Sequence, residues 1–316
     1  MARFFRYIFI VVAMICSMFV QSGCRGQKST NIDSVGKSVI TVSIPPLYGL
    51  AKAVVGEDFN IEILLTEGSA PETFSPTIKQ ISAVQNSAFF FSCNLMEFEK
   101  VVTKRISAQK AVRVINISQG CKLIENKEFV HDEECNHSHS HAPHSNAHNE
   151  HSHHHHGAID PHAWMSPFEL EVMARNIGEA ICEAYPDSVK YRTNLEQLMG
   201  EIKGRQVAYA EQLAAAGQGV FLIYHPALSY LARDYDLQQI SLESEGKNPT
   251  PASLAEVVDI VNKCEIKQMM YQVEYPYGVV KPIVDILGVN VMQINPLSAN
   301  ILSELDVVIN TISGNN

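Results

Sequence analysis

The feature that most constrains this 316-residue chain is a rhythm of short apolar, β-rich runs. Val39–Ile44, Asn60–Leu65, Ala88–Cys93 and Ala111–Ile117 are four such runs, and helix-compatible segments lie between them at Leu47–Val55, Thr77–Gln85 and Phe98–Lys110. The rhythm recurs at Val220–Tyr224, Gln239–Leu242, Gln268–Val273 and Val289–Ile294. Ala227–Tyr235, Pro251–Cys264 and Tyr277–Leu287 are the intervening helices, and Asn300–Ile312 closes the chain ahead of Gly314. Strands alternating with helices specify βα units and a parallel sheet. The expected class is therefore α/β, with two lobes, each a four-stranded parallel sheet with flanking helices.

Between the lobes, Tyr191, Leu195, Leu198, Ile202, Tyr209 and Leu213 recur mostly at three- and four-residue steps. One amphipathic helix is expected over 186–216, starting at Pro186. A helix of about 30 residues runs roughly 45 Å. Such a rod between compact lobes limits how far they can hinge. Gly200 and Gly204 weaken it by about 1 kcal/mol each relative to Ala.

The N-terminus reads as an address. Arg3 and Arg6 precede an apolar run, Tyr7–Val20, that is shorter than the roughly 20 residues of a membrane span. It stops at Gln21-Ser22-Gly23-Cys24, where small residues before a cysteine resemble a bacterial lipoprotein processing site. Residues 1–23 are then a signal peptide, Cys24 the lipidated residue and 24–37 a polar tether. An ordinary secretory signal or an uncleaved anchor are the alternatives. The remaining divisions are a first lobe over 38–185, the helix over 186–216 and a second lobe over 217–316. Five cysteines remain after Cys24, namely Cys93, Cys121, Cys135, Cys182 and Cys264; an odd set leaves a free thiol unless it pairs between chains. Cys121 and Cys135 are near enough in sequence to bridge, but spacing does not decide bonding.

Lys+Arg 24 against Asp+Glu 34 gives a formal charge of −10, which argues against a nucleic-acid partner. Histidine is the unusual component. Of 13, eleven fall within 131–156: His131, His137, His139, His141, His144, His148, His151, His153, His154, His155 and His156. With no aliphatic residue larger than Ala, this stretch cannot pack a core. Imidazole is mostly neutral at pH 7 and suits Zn, Cu, Ni and Fe. So many equivalent donors imply several loose, exchangeable metal sites.

The other two histidines stand alone. His162 sits in "DPHAWMSP" and His225 directly after an apolar strand, in "FLIYHPA". Ligands of open α/β sheets bind beyond the carboxyl ends of strands, which is where His225 falls. Alone, either histidine would more often be a hydrogen-bonded structural residue.

"DPHAWMSP", "YHPALSYLARDYDL" and "EGKNPTPASLAEVVDIV" resemble the cluster A-I substrate-binding proteins of metal-ion ABC importers, which include the periplasmic zinc receptors. The resemblance covers about residues 39–312. It implies two four-stranded lobes joined by one long helix, and a His-rich loop just before "DPH". It implies a metal held by four residues. His162 and His225 match the second and third. The first, a histidine in that family, is replaced by Glu72 in Pro71-Glu72-Thr73-Phe74-Ser75-Pro76. The fourth, commonly an aspartate, is replaced by Asn295 in Asn295-Pro296-Leu297. The two departures compensate in charge. Asn295 can offer a carbonyl oxygen or leave the position to water; Glu243, Glu245 and Glu274, at or past strand ends, fit best as solvated groups or as acceptors at helix N-termini, with replacement or support of Asn295 as the alternative. Asp160 is placed to orient His162, since ligating imidazoles usually donate their second N–H to an oxygen.

The resemblance further implies a non-enzymatic, monomeric receptor that binds Zn(II) outside the inner membrane. It would be anchored there by its lipid and would deliver the ion to an ABC permease and its ATPase. Two histidines and a carboxylate make a sound zinc set. A Mn(II) or Fe(II) receptor of the same family is the alternative. A zinc-dependent hydrolase is the rival class, against which the chain has no HExxH and no serine nucleophile motif. A surface zinc store is a third.

Overall fold

The structure, a computed structural model, describes residues 37–107, 112–125, 159–243 and 249–314. The signal peptide, Cys24, the tether up to residue 36, the His-rich stretch 131–156 with Cys135, and Glu245 lie outside the described residues. Ser38–Asn316 is one compact unit.

Its first sheet contains β1 (Val39–Val42), β2 (Asn60–Ile63), β3 (Phe89–Ser92) and β4 (Arg113–Asn116), in the order β2-β1-β3-β4. The second contains β5 (Val220–Ile223), β6 (Gln238–Ser241), β7 (Gln268–Gln272) and β8 (Asn290–Ile294), in the order β6-β5-β7-β8. Every strand pair is parallel. The two sheets share one plan, as the repeated rhythm predicts. Strand order reverses beside β1 and again beside β5, so each lobe has a crevice at its carboxyl end. Phe89, Phe90 and Phe91 of β3 are all buried, as expected of a central strand covered on both faces.

The crossovers of the first lobe are α1 (Pro45–Val55), α2 (Ile78–Gln85) and α3 (Glu97–Ile106). Their starts are set by local chemistry. Thr77 and Gln80 form a reciprocal capping box on α2. At α3, the fully buried Glu99 accepts from the backbone N–H groups of Cys93, Leu95 and Met96.

A helix that the apolar rhythm does not announce follows: α4, Pro167–Ala184, with 18 residues. Its signal lies within "MSP". Ser166 caps the helix, accepting from the N–H groups of Phe168 and Glu169, and Pro167 takes the first position. The long helix, α5, runs over Val189–Ala216. It starts three residues later than expected. Ser188 is its cap, and Pro186 belongs to the turn after α4.

The helices of the second lobe are α6 (Ser229–Asp234), α7 (Pro251–Lys263), α8 (Tyr277–Leu287) and α9 (Ile301–Ser313). α5 touches both lobes. Asn194 donates to the Val54 carbonyl of α1 at 2.8 Å, and Arg205 pairs with Asp306 of α9 at 3.1 Å. One apolar core runs from the first sheet through α4, α5 and α9 to Phe221, Ile223 and Met270 of the second. A smaller core, between the other face of the second sheet and α7 and α8, includes Leu222, Met269 and Val284. Among the described residues, Cys93, Cys121, Cys182 and Cys264 form no disulfide; the candidate Cys121–Cys135 bridge involves a residue outside them.

Gly49 of α1 faces the second lobe so closely that a Cβ there would sit 2.3 Å from the Ala299 carbonyl oxygen. On α5, Gly200 has open space around it. Gly49→Ala is therefore expected to destabilise by about 1–3 kcal/mol through overpacking. Gly200→Ala is expected to stabilise by up to about 1 kcal/mol through helix propensity. Urea unfolding of the metal-free protein checks both signs.

Candidate metal centre

The cleft between the two sheets' carboxyl ends collects four of the acids and histidines singled out in the sequence. Glu72 lies in the loop between β2 and α2, and His162 in the segment leading to α4. His225 follows β5 and Glu274 follows β7. All four line one cavity of about 150 Å³, whose walls include Trp164, Ala227, Pro296 and Leu297.

His162 is held by its own turn. Asp160 Oδ1 is 2.9 Å from both the backbone N and the Nδ1 of His162. Burial penalises the Asp160 carboxylate, but the His162 hydrogen bonds outweigh it and hold the pKa below the usual value. That turn is tied to the second lobe. Tyr230 of α6 donates to the Asp160 carbonyl at 2.6 Å and accepts from the Ile124 N–H at 3.1 Å. Trp164 Nε1 donates to the Pro296 carbonyl at 2.8 Å. Ser166, the cap of α4, bonds Asp234 of α6. Next to it, Arg233 reaches the buried Glu169 at 2.6 Å.

His225 is held by the second sheet alone. Gln272, 2% exposed, accepts from the His225 N–H and donates to its carbonyl, an amide clamp between β5 and β7. Its Nδ1 lies 3.0 Å from Glu243 Oε2, which also accepts from the Tyr275 hydroxyl at 2.6 Å. Burial disfavours charge on His225, yet the Glu243 carboxylate more than offsets it and the pKa is raised. Both imidazoles thus use Nδ1 on a carboxylate, the pattern that leaves Nε2 for a metal.

The rings of His162 and His225 face each other edge to face, 5.2 Å apart. His162 Nε2 is 3.8 Å from Glu72 Oε1. Donor atoms of Glu72, His162 and His225 all lie within 4.8 Å of one another. No other set of three acids, cysteines or histidines among the described residues does so. Three such donors, drawn from two lobes, can gather a divalent transition metal.

Asn295 is not brought into this group. Its neighbours Pro296 and Leu297 line the cavity and it does not. Its carboxamide oxygen accepts from the Leu297 N–H at 3.1 Å, and its own N–H donates to Glu304. Glu243 supports His225 through Nδ1. Glu274 stands on the cavity wall, where burial raises its carboxyl pKa and the nearby Glu72 charge adds to that.

A family model described as "Zinc-uptake complex component A periplasmic", ZnuA, matches residues 40–307. This chain belongs to the ZnuA family. Among curated relatives, the zinc-binding lipoprotein AdcA of Streptococcus pneumoniae is 28% identical over 297 residues, covering 92% of this chain and 55% of AdcA. The chain thus spans about half the length of the AdcA relatives it matches. A putative metal-binding protein of Treponema pallidum is 23% identical over 295 residues, covering 92% of this chain and 89% of that one. A crystal structure of ZnuA superposes with a TM-score of 0.73 at 24% identity, over 88% of this chain and 98% of that one. The ZnuA fold therefore extends over both sheets.

Trp164, Tyr230, Gln272 and Tyr275 hold the site, and none stands out in the sequence as a functional residue. The first two sit inside the motifs that carry the family resemblance. Their roles depend on partners 132 and 70 residues away.

The Arg233–Glu169 pair is the most consequential of these ties. Glu169 is 3% exposed, and Arg233 is about one-third exposed. Removing the arginine from a buried pair costs about 3–5 kcal/mol, less where solvent reaches it. Arg233→Met is expected to destabilise by about 2–3 kcal/mol, and adding Glu169→Gln to recover part of that. Denaturant midpoints of the two variants test the order.

Proposed function

We propose that this chain is the zinc receptor of an ABC importer. It binds Zn(II) outside the inner membrane, anchored through lipid on Cys24, and passes the ion to a permease driven by an ATPase. The observation that carries this reading is the convergence of Glu72, His162 and His225, whose donor atoms lie within 4.8 Å of one another. Two imidazoles and a carboxylate are a zinc set, and softer than the oxygen-rich sets that Mn(II) favours. The zinc-binding relatives of the same family support the choice of metal.

Its role is capture and release, and no chemistry on the ion is required. Metal binding displaces the proton that His225 holds more tightly than a free imidazole does, so acid competes with zinc. The continuous apolar core and α5 restrain large lobe movements. Uptake and release therefore rest on the loops at the strand ends. The His-rich stretch 131–156 supplies additional, weaker zinc sites.

Zinc and manganese competition calorimetry on residues 25–316, with and without 131–156, tests the reading. One tight zinc site is expected in both, with the weaker sites confined to the longer form. His162→Ala and His225→Ala are expected to abolish the tight site. A preference for manganese, or loss of all zinc binding on removal of 131–156, overturns the reading.

The carboxylate behind His225 gives a second check. Glu243→Gln keeps a hydrogen-bonding partner but loses the charge that holds the imidazole. Zinc affinity is expected to fall about 10–100-fold, as for other partners of ligating histidines. Chelator competition measures it.

A further inference from the structure

The second lobe presents one carboxylate to the cavity that the three-donor cluster does not use. Glu274 lies two residues past β7, on the cavity wall. Its Oε2 is buried and has no hydrogen-bond partner. A buried carboxylate oxygen without a donor is destabilising, and a native structure that keeps one invites a functional explanation. The other buried acids of the site have donors. Asp160 receives His162, and Glu243 receives the Tyr275 hydroxyl.

Resting on the receptor reading above, we propose that Glu274 is the second lobe's carboxylate ligand, completing the zinc site opposite Glu72, while Asn295 remains the cap of its own turn. Each lobe then contributes one histidine and one carboxylate, His162 with Glu72 and His225 with Glu274. Two observations support this set. The first is the distribution of donors. The three clustered ligands leave one tetrahedral position, and zinc fills it with a further protein oxygen or with water. Glu274 keeps one carboxylate oxygen, Oε2, without a hydrogen-bond partner on the cavity wall, whereas the Asn295 oxygen already accepts from Leu297.

The second is charge. Glu274 lies near enough to Glu72 for the two carboxylates to repel, and a divalent cation between them relieves that repulsion. Glu274 stands outside the tight three-residue cluster, so its side chain must move to reach the ion.

The test compares Glu274→Gln and Asn295→Ala with the parent chain, all over residues 25–316 lacking 131–156, with His162→Ala as control. Zinc affinity is measured by chelator competition, and thermal midpoints are taken in EDTA and in excess zinc. Co(II) replaces zinc for visible absorption. Glu274→Gln is expected to lower zinc affinity at least tenfold, shrink the zinc-induced rise in midpoint and alter the cobalt bands. It is expected to leave the EDTA midpoint equal or higher, because a buried charge with an unpartnered oxygen is gone. Asn295→Ala is expected to change affinity less.

Equal or greater loss in Asn295→Ala, or unchanged affinity in Glu274→Gln, overturns the assignment. So does a fall in the EDTA midpoint of Glu274→Gln as large as its fall in zinc, which marks a purely structural role. In those cases tight zinc binding abolished by His162→Ala leaves the receptor reading standing. A parent chain that binds no zinc removes both.

Discussion

The turn that carries His162 is the constraint on which the rest of the site depends. Asp160 closes it from within, and Tyr230 and Trp164 tie it to the second lobe from either side. Each tie uses a polar group that burial would otherwise leave without a partner, so the ties are strongly enforced. Because α4 begins five residues after His162, its cap at Ser166 and the Glu169–Arg233 pair join the same network. His162 therefore belongs to both lobes mechanically, although it is reached from the first.

His225 is fixed by different means. The Gln272 clamp bonds its backbone and the Glu243 carboxylate holds its ring, and both lie in the second sheet. The two histidines thus meet across the cleft on independent supports. Each imidazole sets Nδ1 against a carboxylate, which orients its ring. Glu72, with its side chain 45% exposed, is the least buried member of the cluster.

Much of the fold was legible in the sequence because parallel strands, buried on both faces, read as apolar runs separated by helices. All eight strands and the long central helix follow from that pattern. The helix α4 did not, since its start was absorbed into the motif around His162. The start of α5 was misplaced because Pro186 is equally compatible with a turn, and Ser188 provides the actual cap. The three donors that converge, the two histidines and Glu72, had been singled out from motif and position. The choice among Asn295, Glu243 and Glu274 was not legible there. All three follow strands of the same sheet, and only their hydrogen bonds separate a turn cap, a ring support and a carboxylate with one unpartnered oxygen.

The sequence by itself determined the two-lobe α/β plan and the strand-end positions of the candidate ligands. These depend on local periodicity and on residue chemistry, which neighbouring residues carry. The tertiary structure alone decided which side chains face one cavity and which are committed elsewhere. It set the pairing of Trp164 with Pro296, of Tyr230 with Asp160 and of Glu243 with His225. Those outcomes depend on the approach of strand-end loops from separate lobes. Burial there makes each polar atom find a partner, and such partners are distant in the chain.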